Sequence, residues 1–475
     1  MEPVSLQTHV ALSPDRAEPL SVQLYRDLLA AIRARRLAGA SLPSSRAAAA
    51  ALGLSRNTVN AAYDLLRAEG AVEIRSGAAP RVVAGLVAPP APQPAQTPIG
   101  LSPRGMVWAS GGRERMHGAL LSPGHPDETL FPRDEWARIL RREARRVQGA
   151  AFGYEHYRGL PRLRQVLAER LAADRGMHLT PAQILITPGS QASLALLALA
   201  LAQPGDRALI EDPGYHGARV AFLGAGLDLH PLPVDAEGAQ IDGAPAARLL
   251  YLTPANQFPL GQRLSLARRE AAIAYARKHK ALIIEDDYDS EFLWRGRAIA
   301  AMQGRNPGLV IALGTVSKSL MPGLRLGWIV LPEALAEPLA NAQRNLGLAA
   351  NLHVQAALAE FITSGRYRAH LARIAHHYAQ RGTAFAAALN TIPGVRVTPP
   401  DGGVQLTAHM APEAETIAAG KLQAAGFGAR PLSSYAIASP GPNANPGPTG
   451  LVIGFAEATE ERARQFCKVL RAAIA

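Results

Sequence analysis

Residues 314–325 run Gly314-Thr315-Val316-Ser317-Lys318-Ser319-Leu320-Met321-Pro322-Gly323-Leu324-Arg325. The lysine stands out because the chain has 50 basic residues and only five are lysines: Lys278, Lys280, Lys318, Lys421 and Lys468. A lysine amine condenses with an aldehyde and an arginine does not, while hydroxyls and a guanidinium close by suit a phosphate. About thirty residues upstream, an apolar run ends in Glu285-Asp286-Asp287-Tyr288-Asp289. A carboxylate facing a pyridine nitrogen keeps it protonated and makes the ring an electron sink. Thr187-Pro188-Gly189-Ser190-Gln191 lies between an apolar run and an apolar helical segment, so its backbone N–H groups suit a phosphate at a helix N-terminus. Taken singly, each motif is more often a solvated loop, a simple cap or a surface tripeptide. Their order and spacing together give them weight.

Around these motifs, short apolar stretches alternate with helical patterns from about residue 119 onward. Ile184 to Thr187, Ala208 to Glu211, Leu249 to Thr253, Ala281 to Glu285 and Val310 to Gly314 are the expected strands. Strand-helix alternation predicts an α/β body with a mainly parallel sheet clothed in helices over 119–475. The 475-residue chain exceeds one ordinary domain. It carries no secretory leader pattern and no apolar run of bilayer length, so a soluble cytoplasmic protein without a membrane partner is expected. No metal is expected. The single Cys467, beside Phe466 and Leu470, reads as a core residue.

The first 85 residues have a different grammar. Leu20, Leu24, Leu28 and Ile32 recur at helical spacing. Leu42-Pro43-Ser44-Ser45 then offers caps for a short helix to Leu52, Gly53 supplies a turn, and Ser55 caps a helix from Arg56 to Glu69 with Val59, Tyr63 and Leu66 inward. Two helices about a glycine turn predict a helix-turn-helix, followed by a small wing from Ala71 to Val83. The formal charge is +12 overall but only about +3 in this head, so charge alone does not establish DNA binding. Residues 86–118 read as a linker, with Pro89, Pro90, Pro92, Pro94 and Pro98 making a semi-extended spacer.

On these motifs, residues 120–475 resemble the fold-type I aminotransferases, and the whole chain resembles the MocR/GabR-type subfamily of GntR regulators. The resemblance implies that pyridoxal 5'-phosphate sits on Lys318, with Asp286 at the pyridine nitrogen and Tyr288 at the ring hydroxyl. It implies a phosphate cup of Gly189, Ser190, Gln191, Thr315, Ser317 and Arg325, and Tyr215 stacked on the ring. Tyr154, in a Tyr-x4-Gly pattern ending at Gly159, resembles the tyrosine lent to a neighbouring subunit, which implies a homodimer with shared sites. In the head, Leu42-Pro43-Ser44-Ser45-Arg46 and Leu52-Gly53-Leu54-Ser55-Arg56-Asn57-Thr58-Val59 are similar to the GntR-type winged helix-turn-helix. A recognition helix presents its first turn to base edges, so Ser55, Arg56, Asn57 and Thr58 are the candidate readers of double-stranded DNA, with Arg46 on a phosphate.

Some positions depart from the pattern. Asn256 and Leu260 replace the regulators' His and Thr in Thr253-Pro254-Ala255-Asn256-Gln257-Phe258-Pro259-Leu260-Gly261, and Phe258 stands where aminotransferases have a ring-contacting Asn. The wing reads Gly77-Ala78-Ala79-Pro80-Arg81-Val82-Val83, unlike the family's ending, leaving Arg75 and Arg81 for backbone contacts. The arginine that grips a substrate α-carboxylate falls at about Val452, and Arg430 is an alternative donor. The leading expectation is therefore a DNA-binding regulator that senses a small amine, amino acid or the cofactor itself. The competing readings are a working aminotransferase with an N-terminal extension and an interaction module that has lost both ligands.

Overall fold

The structure, a computed structural model, describes residues 4–13, 15, 17–73, 79–83, 100–110, 119–146, 155–295, 300–437 and 447–474. The chain divides into two compact units, Met1–Gly100 and Leu101–Ala475.

In the smaller unit, the helix Leu20–Arg33 buries Leu24, Leu28 and Ile32 on one face. Each fully buried leucine contributes about 1.5–3 kcal/mol relative to exposure. Ser44 accepts the N–H of Ala47 at 3.2 Å and starts the helix Ser45–Leu52. Gly53 then turns the chain at φ +66, a left-handed conformation that favours glycine. Ser55 accepts the N–H of Thr58 at 3.1 Å and opens the helix Arg56–Ala68. Val59, Tyr63 and Leu66 face the core as expected, and the Tyr63 hydroxyl donates to the Pro43 carbonyl at 3.0 Å, tying this helix to the loop before the previous one. Val72–Glu73 pairs antiparallel with Arg81–Val82, forming the base of the wing. The expected wing turn at Ser76 and Gly77, and Arg75, lie outside the described residues.

The larger unit is built on an eight-stranded sheet. Its centre is a parallel run of Val310–Thr315, Leu282–Asp287, Leu249–Leu252, Arg207–Asp212 and Asp228–Asp235. Gly327–Val330 is inserted antiparallel between Val310–Thr315 and Ile184–Thr187. Gly238–Ala239 pairs antiparallel at the far edge. The central strands are buried on both faces, for example all four residues of Leu249–Leu252, as a sheet covered by helices requires. A second sheet of Arg396–Val397, Gln405–His409, Gly450–Gly454 and Arg430–Pro431 is antiparallel throughout. Cys467 is buried in the core, as its neighbours predict.

Residues 103–110 depart from the expected linker. They form the helix Pro103–Ser110 within the larger unit, against the helix His216–Ala225. The fit depends on Gly224, where an added Cβ would lie 2.4 Å from the Trp108 ring. Ser102 caps this helix by accepting the N–H of Gly105 at 3.0 Å. The prolines that make a spacer lie before residue 99, and after them Trp108 packs over Gly224 while Met106 stays exposed.

Candidate functional site

The carboxyl ends of the central strands carry the body's chemistry. Asp286, near the end of Leu282–Asp287, is 4% exposed. Its Oδ2 accepts the Tyr251 hydroxyl at 2.7 Å, while its Oδ1 has no hydrogen-bond partner among the described residues. Burial pushes the Asp286 carboxyl up to about 6; the Tyr251 hydrogen bond and the Lys318 charge oppose that rise, while the Asp287 charge adds to it. Asp287, the next residue on the strand, pairs with Arg175 at 2.8 Å instead. A buried acceptor with one oxygen unsatisfied is costly unless a donor meets it.

Lys318 lies in the loop after Val310–Thr315, and its Nζ donates to the Gly124 carbonyl at 2.6 Å. The same loop is held by Thr315, whose Oγ1 donates to Ser317 Oγ at 2.9 Å and accepts the Ser317 N–H at 3.1 Å. Arg325 takes a left-handed φ of +48 and lays its guanidinium over Gly189, the residue capping the helix Ser190–Leu201. A Cβ on Gly189 would sit 3.4 Å from the guanidinium nitrogen. The guanidinium and the helix N-terminus thus converge on one spot, with the positive helix end reinforcing the arginine.

The remaining expected residues divide. Tyr215 stands at the start of the helix His216–Ala225, with Phe258 edge-on to it at 5.5 Å and 78°. Gln191 has its side-chain amide committed to the Gly217 carbonyl at 3.0 Å, leaving its backbone N–H for a phosphate. The Tyr288 hydroxyl donates to the Asn256 carbonyl at 3.0 Å, so its oxygen remains an acceptor. Tyr154 lies outside the described residues. Tyr251, fully buried, was not singled out from sequence because a tyrosine within the strand Leu249–Leu252 looks like core. Its neighbouring strand carries Asp286, and that adjacency is the signal. Glu211 is a second unforeseen group: burial pushes it up to about 7 against hydrogen bonds from Thr253 and Gln257.

A cavity of about 280 Å³ opens beside Tyr215, Gln191 and Phe258 and reaches Arg430. Arg430 stands directly across from Val452 in the antiparallel pair of Arg430–Pro431 with Gly450–Gly454. Val452 itself is fully buried with Leu432 and Tyr435, against Phe258 and Leu260.

In the head, Arg46, Ser55, Arg56 and Asn57 are exposed and Thr58 is half-buried. Arg56 Nε reaches Ser45 Oγ at 3.5 Å. The Ser55 and Thr58 hydroxyls are 2.8 Å apart and serve the helix cap. The first turn therefore offers Arg56 and Asn57 outward, with Ser55 and Thr58 fixing its start.

Two family models match the chain: bacterial regulatory proteins of the gntR family over residues 20–82, and aminotransferase class I and II over residues 121–470. The chain is 37% identical to the probable rhizopine catabolism regulatory protein MocR of Rhizobium meliloti, covering 98% of this chain and 95% of that protein. It is 28% identical to the pyridoxine biosynthesis transcriptional regulator PdxR of Corynebacterium glutamicum, over 96% of each. Among solved structures, the alpha-aminoadipate aminotransferase LysN of Thermus thermophilus matches with a TM-score of 0.69 at 26% identity, covering 78% of this chain and 95% of that one. An archaeal alanine:glyoxylate aminotransferase matches with the same TM-score at 25% identity, covering 79% of this chain and 96% of that one. A regulatory head and an aminotransferase body are joined in one chain along nearly the whole length of such relatives: the protein belongs to the MocR/GabR-type subfamily of GntR transcription regulators.

Proposed function

We propose that this regulator holds pyridoxal 5'-phosphate in its body and converts the arrival of a small amine there into a change in how its head engages a promoter. Residues 1–85 serve as the DNA-binding head, the proline-rich stretch within 86–118 as the spacer, and 119–475 as the effector and dimerisation body. The homodimer of this reading lets the two heads address paired half-sites.

The donor set fits the cofactor. Asp286 Oδ1 is a buried acceptor awaiting a donor such as a pyridinium N–H. Arg325 and the N-terminus of Ser190–Leu201 meet over Gly189, where a phosphate gains both a guanidinium and backbone N–H groups. Thr315 and Ser317 add hydroxyls beside Lys318. Tyr215 supplies an aromatic face and Tyr288 an acceptor at the ring hydroxyl. When bound, pyridoxal phosphate supplies an electrophilic carbon toward amines and an electron-withdrawing ring. Lys318 is the amine that holds it.

The observation that carries the regulator reading over the enzyme reading is Val452. The position at which the resemblance puts the carboxylate-gripping arginine is a fully buried valine packed under Phe258 and Leu260. Arg430, across from Val452 and lining the Tyr215 cavity, offers a guanidinium only from the neighbouring strand, so a carboxylate that relies on the fork at position 452 loses on the order of 1.5–3 kcal/mol of binding. Common α-amino acids are then poor substrates. The test is a panel of α-amino acids and amines, followed for oxo-acid production by the purified cofactor-loaded protein. Slow or absent turnover is expected. Rapid multiple turnover with any α-amino acid overturns the reading.

A further inference from the structure

A second chamber of about 260 Å³ is lined by Asn256, Gln262, Asp289, Gly403, Gln405 and Thr407 among others. Its wall is acceptor-rich. Gln405 is 6% exposed, and its amide oxygen has no hydrogen-bond partner among the described residues; the Gln262 amide oxygen is in the same state. Asp289 is 4% exposed and receives the Asn256 amide at 2.6 Å. Thr407 spends its proton on the Pro259 carbonyl at 2.8 Å, which leaves its oxygen as an acceptor. Gly403 keeps this wall open, because a Cβ there would come within 2.7 Å of both the Asn256 amide nitrogen and the Asp289 carboxylate. Arg263, the cation on the rim, is engaged by Asp401 at 3.5 Å and by the Arg295 carbonyl at 2.9 Å.

Gln405 brings the chamber's wall close to the reactive lysine. A Cβ on Gly124 would lie 3.0 Å from Lys318 Nζ and 3.6 Å from Gln405 Oε1. A small ligand with one end at Lys318 therefore extends past Gly124 to Gln405 and on to Asp289. Buried acceptors left unmet disfavour an apolar occupant, and a carboxylate reaching from Lys318 would first meet the Gln405 and Gln262 amide oxygens where it needs donors. Hydroxyl and ammonium groups satisfy them, and a hydroxyl meets the Gln405 amide in either orientation.

We propose that the effector is an amine that carries further hydrogen-bond donors, hydroxyl or second amino groups, and no carboxylate, with its amine end at Lys318 and its donor-bearing end in this chamber. This rests on the effector-site reading above and names the chemical class that the site selects. The experiment is calorimetric titration of the cofactor-loaded full chain with serinol, putrescine, propylamine and alanine. Serinol or putrescine is expected to bind at least about tenfold more tightly than propylamine, the gain of one charge-assisted hydrogen bond, with alanine weakest. The serinol and putrescine arms separate hydroxyl from ammonium as the preferred donor. Gln405→Leu and Asp289→Asn are each expected to bring the preferred ligand down to the level of propylamine, with the cofactor's visible absorbance reporting that each variant is folded and loaded. Tightest binding by alanine, no advantage over propylamine, or an advantage that survives both substitutions overturns the proposal and leaves the effector site standing. Failure of every amine to bind the loaded protein overturns both.

Discussion

The Tyr251 hydroxyl donates to one oxygen of Asp286 at 2.7 Å and leaves the other oxygen unmatched inside the protein. The pair lies at the end of two adjacent parallel strands, so the sheet itself sets the carboxylate's orientation. Removing the tyrosine hydroxyl releases Asp286 from its one anchor and from the contact that favours its charged form. Tyr251→Phe is therefore expected to raise the Asp286 carboxyl further and to loosen the bound cofactor by about tenfold or more, measured by equilibrium dialysis. Unchanged retention would take Tyr251 out of the site.

Lys318→Ala removes the covalent anchor and little core volume. The variant is expected to keep its circular dichroism and its sedimentation behaviour while losing the visible absorbance of the loaded protein. Cofactor still reducible onto the variant would mean that another of the five lysines carries it.

Gly189→Ala tests the phosphate cup while keeping every charged side chain in place. Its φ of +97 is strained for alanine, and the new methyl would lie in contact with the Arg325 guanidinium over the cup. Cofactor affinity is expected to fall by about ten- to a hundredfold, the loss of one charge-assisted contact. An affinity within about twofold of the parent would place the phosphate elsewhere.

Acid–base behaviour of the cofactor-free protein follows from Asp289, which burial pushes up to about 8 while the Asn256 contact pulls it down. The folded state holds this proton more tightly than the unfolded chain does. The associated stability is complete below the ordinary carboxylate range and is lost as pH rises through about 8. Asp286 and Glu211, raised to about 6 and 7, add to the same downward slope. Asp289→Asn should thus show a smaller fall in Tm than the parent between about pH 5 and pH 9. Parallel curves would show that Asp289 ionises normally.

Much of this was legible in the sequence, for reasons that differ by element. The strand ends carrying Asp286 and Lys318 are apolar runs closed by chemistry-bearing residues, and the structure places both residues at one end of the same sheet. The head was legible because serine caps and a glycine turn are local signals: Ser44, Gly53 and Ser55 do what their positions predict. Ser55 and Thr58 also bring their hydroxyls within 2.8 Å of each other at that cap, a contact their positions do not announce in sequence. What was not legible depends on distant partners. The helix Pro103–Ser110 hides behind a proline-rich stretch and needs Gly224 to dock Trp108. The Asp289 chamber joins residues more than a hundred positions apart.

The central claim, that this chain is a sequence-reading regulator rather than an aminotransferase with an extension, is tested most directly by fluorescence anisotropy of the full chain on the duplex upstream of its own coding region and on a scrambled duplex, at one fixed salt concentration. The account predicts binding at least about a thousandfold tighter to the natural duplex. Arg56→Ala should cost roughly 1–3 kcal/mol of that preference, and Arg46→Ala should weaken both duplexes alike. Equal affinity for the two duplexes, or an Arg56→Ala variant that discriminates as well as the parent, would contradict it.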